Sequence, residues 1–165
     1  MKNRSYNIMI VAMVVITAMS IMLILYLDNA HKTFEGDIEV NEFGVTETVI
    51  PVRDLTLTPG DIKDYEVNVF CRATGSYHVT VDFLESRDGK MKNFVNVRIL
   101  AADEQIYEGT LKELIDEKPT VIFDAVLDES EPTVLTFIYE MPVEIGNEAQ
   151  GTFSDFDIHV NIKKN

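Results

Sequence analysis

Residues 77–83 have the sequence Tyr-His-Val-Thr-Val-Asp-Phe, which alternates strictly between apolar and polar side chains. Alternation with a period of two is typical of a β-strand that is buried on one face only. The same pattern recurs in short segments that turn residues separate about every ten positions. This spacing predicts an all-β fold, an antiparallel β-sandwich of seven or eight strands over residues 45–165. The other predicted strands cover residues 45–57, 65–71, 95–99, 121–127, 135–141 and 156–162.

Turn residues lie between the predicted strands. Pro59-Gly60 fits the two central positions of a type II turn, because proline fixes the first backbone torsion and glycine accepts a positive φ at the second. Asp88-Gly89 predicts a hairpin after the strand that ends near Glu85. Three further prolines lie in the gaps between the predicted strands, where proline is tolerated. They are Pro119, Pro132 and Pro142.

One short helix is predicted over residues 110–116. Thr110 and Glu113 have the spacing of a capping box, in which each side chain accepts a hydrogen bond from the other residue's backbone N–H. Leu111, Leu114 and Ile115 would form one apolar face of this helix. We expect a connector between strands and not a second layer of the fold.

A different kind of segment precedes the strands. Residues 8–27 are apolar except for Thr17 and Ser20, and none of them is charged. At about 1.5 Å of rise per residue, a helix of this length spans roughly 30 Å, the hydrocarbon thickness of a bilayer. We therefore expect a transmembrane helix in contact with membrane lipid. Lys2 and Arg4 place residues 1–7 in the cytoplasm and the bulk of the chain on the extracellular side.

The residues at the end of this apolar segment indicate whether it is cleaved off as a secretory signal. A secretory signal has a shorter apolar region of about 7 to 15 residues, followed by small residues at the cleavage site. Residues 25–30 are Leu-Tyr-Leu-Asp-Asn-Ala, with bulky and charged side chains where small ones are needed. An uncleaved signal anchor is thus favoured over a removed signal, which would make the protein secreted. A lipid-modified N-terminus is excluded, because the one cysteine is Cys71.

Charge is concentrated after the apolar segment. All 28 acidic residues lie at or after Asp28, together with 12 of the 14 basic residues, so residues 28–165 carry a formal charge of −16. Such a surface repels phosphate backbones, which argues against nucleic acid as a partner. Residues 28–44 are acidic with weak alternation, and they are interpreted as a stalk or a first edge strand.

Motifs of catalysis are missing from the sequence. The histidines His31, His78 and His159 form no H-E-x-x-H pair, and neither a nucleophile elbow nor a phosphate-binding glycine pattern occurs. His78 and His159 fall on the polar side of their strands, where side chains are usually solvated. Cys71 falls on the apolar side of its strand, which predicts a buried, unreactive thiol. We expect neither enzymatic activity nor a cofactor.

Calcium binding is the remaining chemistry that the side chains suggest. Asp155 and Asp157 alternate with His159 on one strand face, while Asp128 and Glu131 lie in one acidic loop with Glu129. Hard cations bind carboxylate oxygens, so Asp155, Asp157, Asp128 and Glu131 are the candidate ligands. The other interpretation is a plain acidic surface, since the glycine-turned ligand spacing of calcium loops is absent.

Three stretches carry a family resemblance. Leu-Thr-Pro-Gly-Asp at residues 57–61 leads into an alternating strand and then into Ala-Thr-Gly-Ser at residues 73–76. Ile-Tyr-Glu-Gly-Thr-Leu-Lys-Glu-Leu follows at residues 106–114. Met141-Pro142 then precedes Gly-Asn-Glu-Ala-Gln-Gly at residues 146–151. In order and spacing this set resembles the TasA/camelysin-type secreted or surface proteins of Gram-positive bacteria, over about residues 45–163.

The resemblance implies a jelly-roll-like sandwich that is exported across the membrane and serves as a subunit of extracellular matrix fibres or coats. Some relatives carry a metalloprotease label, for which this chain offers no zinc motif. The sequence departs from the family at Cys71-Arg72-Ala73, where an asparagine is usual. It also lacks the small-residue cleavage site, and a retained anchor would oppose free polymerisation.

The predicted function combines this location and fold. We expect a membrane-anchored cell-surface β-sandwich protein with a structural or interaction role. Residues 34–49 are the segment expected to add to the sheet of a homo-oligomer partner or another surface protein, through main-chain hydrogen bonds. The alternative is a receptor-like binding module for a sugar or protein partner, assisted by calcium. A camelysin-like metallopeptidase is the third hypothesis.

Overall fold

The computed structural model describes residue 19 and residues 34–165. The predicted cytoplasmic N-terminus, all of the predicted transmembrane helix apart from Met19, and the first part of the predicted stalk lie outside the described residues. Among the residues that are described, no helix is long and apolar enough to cross a membrane.

Nine strands form the described part of the chain, two more than the seven that alternation indicates. Residues 34–39 form an edge strand, which was one of the two interpretations of the acidic segment. The strand over residues 104–110 was not predicted, because both of its faces are partly exposed and its sequence does not alternate. In chain order the strands are β1 (Phe34–Glu39), β2 (Val45–Leu55), β3 (Ile62–Phe70), β4 (Gly75–Gly89), β5 (Asn96–Ala101), β6 (Glu104–Thr110), β7 (Val121–Leu127), β8 (Thr133–Glu140) and β9 (Phe153–Lys164).

The strands form two sheets, in the orders β1-β3-β8-β5-β6 and β2-β9-β4-β7. The pairs β2–β9, β3–β8, β4–β7 and β5–β6 are antiparallel and nest inside one another along the chain. This nesting is the jelly-roll arrangement of a β-sandwich. The prediction of antiparallel strands over residues 45–165 is confirmed, and the one parallel strand pair among the described residues joins β1, which precedes that range, to β3. A parallel pair needs a connection through other elements, and β2 supplies it from the opposite sheet.

The core lies between the two sheets and contains the side chains that alternation predicts. Most inward residues are almost completely buried and their polar neighbours face outward, whereas the inward side chains of the edge strands β6 and β7 are partly exposed. Phe70, which breaks the alternation of β3, faces outward and is 40% exposed. The fully or nearly fully buried members of the centre are Tyr77, Val79, Val81 and Phe83 of β4, Phe137 and Tyr139 of β8, and Phe156, Ile158, Val160 and Ile162 of β9.

Aromatic rings join the two sheets at the middle of this core. The Phe156 ring lies 5.7 Å from that of Phe83 in the same sheet and 5.8 Å from that of Tyr139 in the other. Phe83 also contacts Phe137 edge-on at 6.3 Å, and Tyr139 contacts Tyr65 edge-on at 5.4 Å. Tilted and edge-to-face pairs of this kind stabilise a core beyond their burial. β9 is therefore central to the sandwich in both packing and hydrogen bonding.

The turn at Pro59-Gly60 is confirmed. Gly60 has φ +90°, and the Asp61 N–H donates to the Thr58 carbonyl at 2.9 Å, as a type II turn requires. The prediction that Pro119, Pro132 and Pro142 lie between strands is also confirmed.

The hairpin predicted at Asp88-Gly89 is wrong. β4 continues to Gly89, which pairs with Phe153 of β9, and the chain then crosses to the other sheet through a helical turn at Met91–Asn93. Gly89 has a different role, because a Cβ there would overlap the carbonyl oxygen and ring of Phe153. The glycine allows a close approach of two strands rather than a reversal.

The predicted helix is a short helical turn. Leu111 and Lys112 form its α-helical start, and Glu113–Glu117 continue it as a π-helix. Its capping box is confirmed. The Thr110 N–H donates to Glu113 Oε2 at 2.9 Å, and the Glu113 N–H donates to Thr110 Oγ1 at 3.2 Å. The expected apolar face is buried, with Leu111, Leu114 and Ile115 at most 2% exposed. A third helical turn covers Val143–Ala149.

Candidate interaction surface

The outer face of the four-stranded sheet, the side turned away from the other sheet, carries five of the nine exposed large apolar side chains within residues 34–165. Val45 and Val49 of β2 are 42% and 47% exposed, and Leu84 of β4 is 40% exposed. Ile122 and Val126 of β7 are 57% and 75% exposed. Scattered exposed apolar residues are ordinary, and polar side chains separate the two on β2 from the two on β7, so the pair on β7 stands out by its exposure and not as part of a continuous patch.

Polar side chains lie between these apolar ones in rows set by the strand register. His78 of β4 is paired with Asp124 of β7, and their side chains meet at 3.0 Å, Nδ1 to Oδ1. This hydrogen bond, with a second from Asn165, lowers the pKa of Asp124. In another row His159 of β9 lies between Asp82 and Val49.

Both described histidines are therefore on the polar side of their strands, as predicted. His78 is exposed and His159 is half-buried. His31 lies outside the described residues.

Three of the four edge strands in residues 34–165 have features that oppose pairing with a strand of another chain. β1 presents the exposed carboxylates of Asp37 and Glu39. β2 contains Pro51, and its register with β9 shifts between Val52 and Leu55. The register of β6 with β5 also shifts. Charges, proline and bulges of this kind protect sheet edges.

The fourth edge strand, β7, has neither a proline nor a bulge, and it carries a single charge. It makes seven consecutive pairs with β4 without a register shift. It contains no proline, and its one charged residue is Asp124. Since the sheet order ends at β7, its second row of backbone groups is unpaired within the described residues.

Residues 34–49, the segment predicted to add to a partner's sheet, pair within their own chain. β1 pairs along its whole length with β3. The first part of β2 pairs with β9 from Val45 onward. In this structure the segment fills two edges of the sandwich and is not a free strand.

Two of the calcium candidates, Asp155 and Asp157, are paired with arginines. Asp155 is 7% exposed and accepts hydrogen bonds from the Asp54 N–H at 2.7 Å and from Arg87 Nε at 2.8 Å. The bond from Asp54, and after it the Arg87 guanidinium, lower the pKa of Asp155 against the opposing effect of burial. Arg53 pairs with Asp157 at 2.5 Å. These guanidinium groups neutralise the carboxylates that a cation would need.

The other two candidates lie at the opposite end of the sheet. Asp128 accepts hydrogen bonds from the N–H and the hydroxyl of Ser130, both at 2.8 Å, and these bonds lower its pKa. The distance between the two pairs can be measured along β4. Gly75 pairs with the end of β7, next to Asp128, and Arg87 pairs with Asp155. These two residues of β4 are twelve positions apart, which is about 40 Å of strand. The structure therefore does not bring the two pairs together. Within residues 34–165, no three His, Cys, Asp or Glu side chains are grouped to hold a metal ion.

A buried ion-pair cluster around Lys92 was not anticipated from the sequence. Lys92 is 8% exposed, and its Nζ lies 2.8 Å from both Glu85 and Asp116. Burial alone would lower the pKa of Lys92, but the two carboxylates outweigh it and raise it to about 12. Hydrogen bonds from Lys112 and Lys92 lower the pKa of Asp116 to about 2. No local pattern indicates this cluster, because its members come from three separate elements.

An open polar cleft of about 400 Å³ lies on the outer face of the five-stranded sheet. Arg98 of β5 lies in it, with Glu140 of β8 at 3.8 Å. Charged and amide groups on an exposed sheet face offer several hydrogen-bond donors and acceptors to a hydroxyl-rich ligand. The other polar residues that line the cleft are Asn96, Glu108, Thr110 and Glu113.

Cys71 is a free thiol and is 7% exposed, so the prediction of a buried cysteine is confirmed.

Comparison with known proteins gives distant similarities of fold. No family model matches the chain, and no curated protein matches it. Among solved structures, it is similar to a periplasmic inhibitor of g-type lysozyme from Aeromonas hydrophila, at 14% identity and TM-score 0.38, over 79% of this chain and 99% of that one. It is similar to a family 35 carbohydrate-binding module from an environmental isolate, at 14% identity and TM-score 0.37, over 68% and 75% of the two chains. The pre-peptidase C-terminal domain of a Bacillus anthracis collagenase gives 11% identity and TM-score 0.38, over 81% and 98%. Similarities of this degree indicate neither a family nor a function.

Proposed function

We infer that this protein is anchored in the cell membrane by residues 8–27 and displays its jelly-roll domain on the outer surface, where it has a structural or interaction role. The single observation that carries the role is the combination, on the four-stranded sheet, of exposed apolar side chains with an edge strand, β7, that has no proline and no bulge. Surfaces of this kind are suited to contact with other proteins. The anchor rests on the uninterrupted apolar run in the sequence.

A non-enzymatic role agrees with the state of the polar side chains. A metalloprotease would need a cluster of metal ligands, and residues 34–165 contain no such group. His78 lies on an open sheet face beside Asp124 rather than in a concave site. The TasA/camelysin resemblance supports a matrix or coat role, and it stays a prediction.

The alternative role, a binding module for a sugar or a protein partner, is favoured by the polar cleft around Arg98. The calcium assistance proposed with it finds less support, because arginines occupy two of its four candidate ligands. A sugar would be expected to bind in the cleft, whereas a protein partner would contact the apolar face of the other sheet.

The masses of the protein in washed membranes and in the culture medium test the proposed location. We expect the full-length mass in the membrane fraction, because residues 8–27 end without the small side chains that a signal peptidase recognises. A shortened form found only in the medium would contradict the anchor and would favour a released matrix subunit. Full-length protein in the cytosolic fraction would contradict the proposal altogether.

A further inference from the structure

The free edge of β7 has a self-complementary sequence. Residues 121–127 are Val-Ile-Phe-Asp-Ala-Val-Leu, and Asp124 is at the centre. Positions equally far from this centre all carry apolar side chains. If two such strands pair antiparallel about Asp124, Ile122 of one lies opposite Val126 of the other, and Phe123 lies opposite Ala125. Opposed apolar side chains are the unit that stabilises a sheet.

Both faces of β7 have apolar surface that the chain itself leaves uncovered. On the outer face, Ile122 and Val126 are the two most exposed apolar side chains of any strand within residues 34–165. On the inner face, Phe123 and Ala125 contact the core but are only half-buried, although the strand ends Val121 and Leu127 are buried. A strand added beside β7 would bring apolar neighbours to the side chains of both faces.

We propose that two copies of this chain associate through antiparallel pairing of β7 with β7, about a two-fold axis at Asp124, to form one continuous eight-stranded sheet. This inference rests on the proposed interaction role and names its partner as a second copy. A two-fold axis makes the contact isologous, so it closes as a dimer and does not propagate.

The charges in the interface set its strength. The pairing places Asp124 opposite its own copy, and like charges opposite one another destabilise a sheet. His78 hydrogen-bonds to Asp124 at 3.0 Å in each copy. The chain also carries a formal charge of −14, which opposes self-association at low ionic strength.

The size of the interface favours a reversible dimer. One seven-residue edge with its flanking side chains buries less than the roughly 1,600 Å² of a standard interface. We therefore expect a dissociation constant in the micromolar range or weaker, about 1–100 μM. Added salt should strengthen the dimer, since it screens the net charge.

Sedimentation equilibrium of the full chain in density-matched detergent tests the proposal with matched variants. Val126→Lys should weaken the dimer by roughly tenfold, because the apolar pair of residues 122 and 126 occurs twice about the two-fold axis and is lost at both places. Val49→Lys makes the same change on the outward face of the other edge, β2, and should leave association within about twofold. Asp124→Asn should tighten the dimer several-fold, since it removes the like-charge pair. Equal circular dichroism spectra and melting temperatures show that each variant is folded.

Disulfide formation in membranes tests the register. Directly opposed residues in an antiparallel pair have Cα atoms about 4.5–5.5 Å apart, which suits a disulfide. The Asp124→Cys variant should form a covalent dimer under mild oxidation much faster than the Val49→Cys variant. The wild type should form none, because Cys71 is buried.

Several results would overturn this inference. The first is a monomeric wild type at all concentrations up to about 1 mM. The second is equal association of the wild type and Val126→Lys. The third is disulfide cross-linking at position 49 as fast as at position 124. Equal weakening by Val126→Lys and Val49→Lys would instead place β2 of one copy against β7 of the next, which also contradicts a symmetric dimer. None of these results bears on the anchor or surface location, which the mass measurement tests separately.

Discussion

Replacing Phe156 by alanine is expected to lower the free energy of unfolding by about 4 kcal/mol. Phe156 is fully buried in β9, the strand between β2 and β4, and its ring contacts Phe83 and Tyr139. Truncation would remove these contacts and leave a cavity between the sheets, which neighbouring rings can fill only partly. Because a domain is stable by only about 5–15 kcal/mol, the loss would be a large fraction of the total.

Urea denaturation followed by circular dichroism measures this effect. Phe43→Ala is the matched control, because Phe43 is 80% exposed in the turn before β2. The same chemical change there should alter stability by no more than about 0.5 kcal/mol. A loss below about 1 kcal/mol for Phe156→Ala would show that the ring is not at the centre of the core.

Replacing Lys92 by methionine is expected to lower the free energy of unfolding by about 2 kcal/mol, less than for a completely buried ion pair because the carboxylates are partly exposed. Lys92 joins the crossover at Met91–Asn93 to Glu85 of β4 and to Asp116 of the helical turn. Methionine keeps most of the apolar stem, so the change isolates the ammonium group. Glu85 would then lose its cation, whereas Asp116 would keep its ion pair with Lys112.

The same cluster gives stability a defined dependence on pH. The pKa of Asp116 is lowered from 3.8 to about 2, so its contribution is complete above about pH 4 and is lost as the pH falls to about 2. The pKa of Lys92 is raised from 10.5 to about 12, so its contribution is present below about pH 10.5 and is lost as the pH rises through 12.

Acid and alkaline denaturation of wild type and variant check this pair of statements. Lys92→Met should lose less stability than the wild type on the acid side below pH 4 and on the alkaline side above pH 10.5. Lys163→Met, at an exposed position of β9, is the control and should follow the wild-type pH profile. Identical pH profiles for Lys92→Met and wild type would contradict the role assigned to the cluster.

The inward residues of the sandwich could be predicted because alternation is a local property. Each strand must place its apolar side chains on one face, so Tyr77, Phe137 and Phe156 are identifiable without knowledge of the strand partners. The strand β6 was missed because it lies at a sheet edge and is partly exposed on both faces. The direction of β1 could not be predicted, because its pairing with β3 depends on the whole chain path.

The site depends on the same distinction between local and non-local information. Outward placement of His78 and His159 follows from strand parity and was predicted. The pairing of Asp155 with Arg87 joins residues 68 positions apart, and that of Asp157 with Arg53 joins residues 104 apart. Only the register of β2, β9 and β4 brings these side chains together. At Gly89 a local signal was misleading. The glycine allows two strands to approach closely, but in the sequence Asp88-Gly89 resembles a turn.

The most direct test of the central claim is labelling of one exposed cysteine in intact cells with a membrane-impermeant maleimide. Ser130→Cys places a thiol in the exposed loop between β7 and β8, while Cys71 is buried and serves as the internal control. If the sandwich lies on the outer surface, Ser130→Cys should be labelled equally in intact and lysed cells, and the wild type should be labelled only after denaturation. Labelling of Ser130→Cys that requires lysis would place the domain inside the cell and would contradict the account.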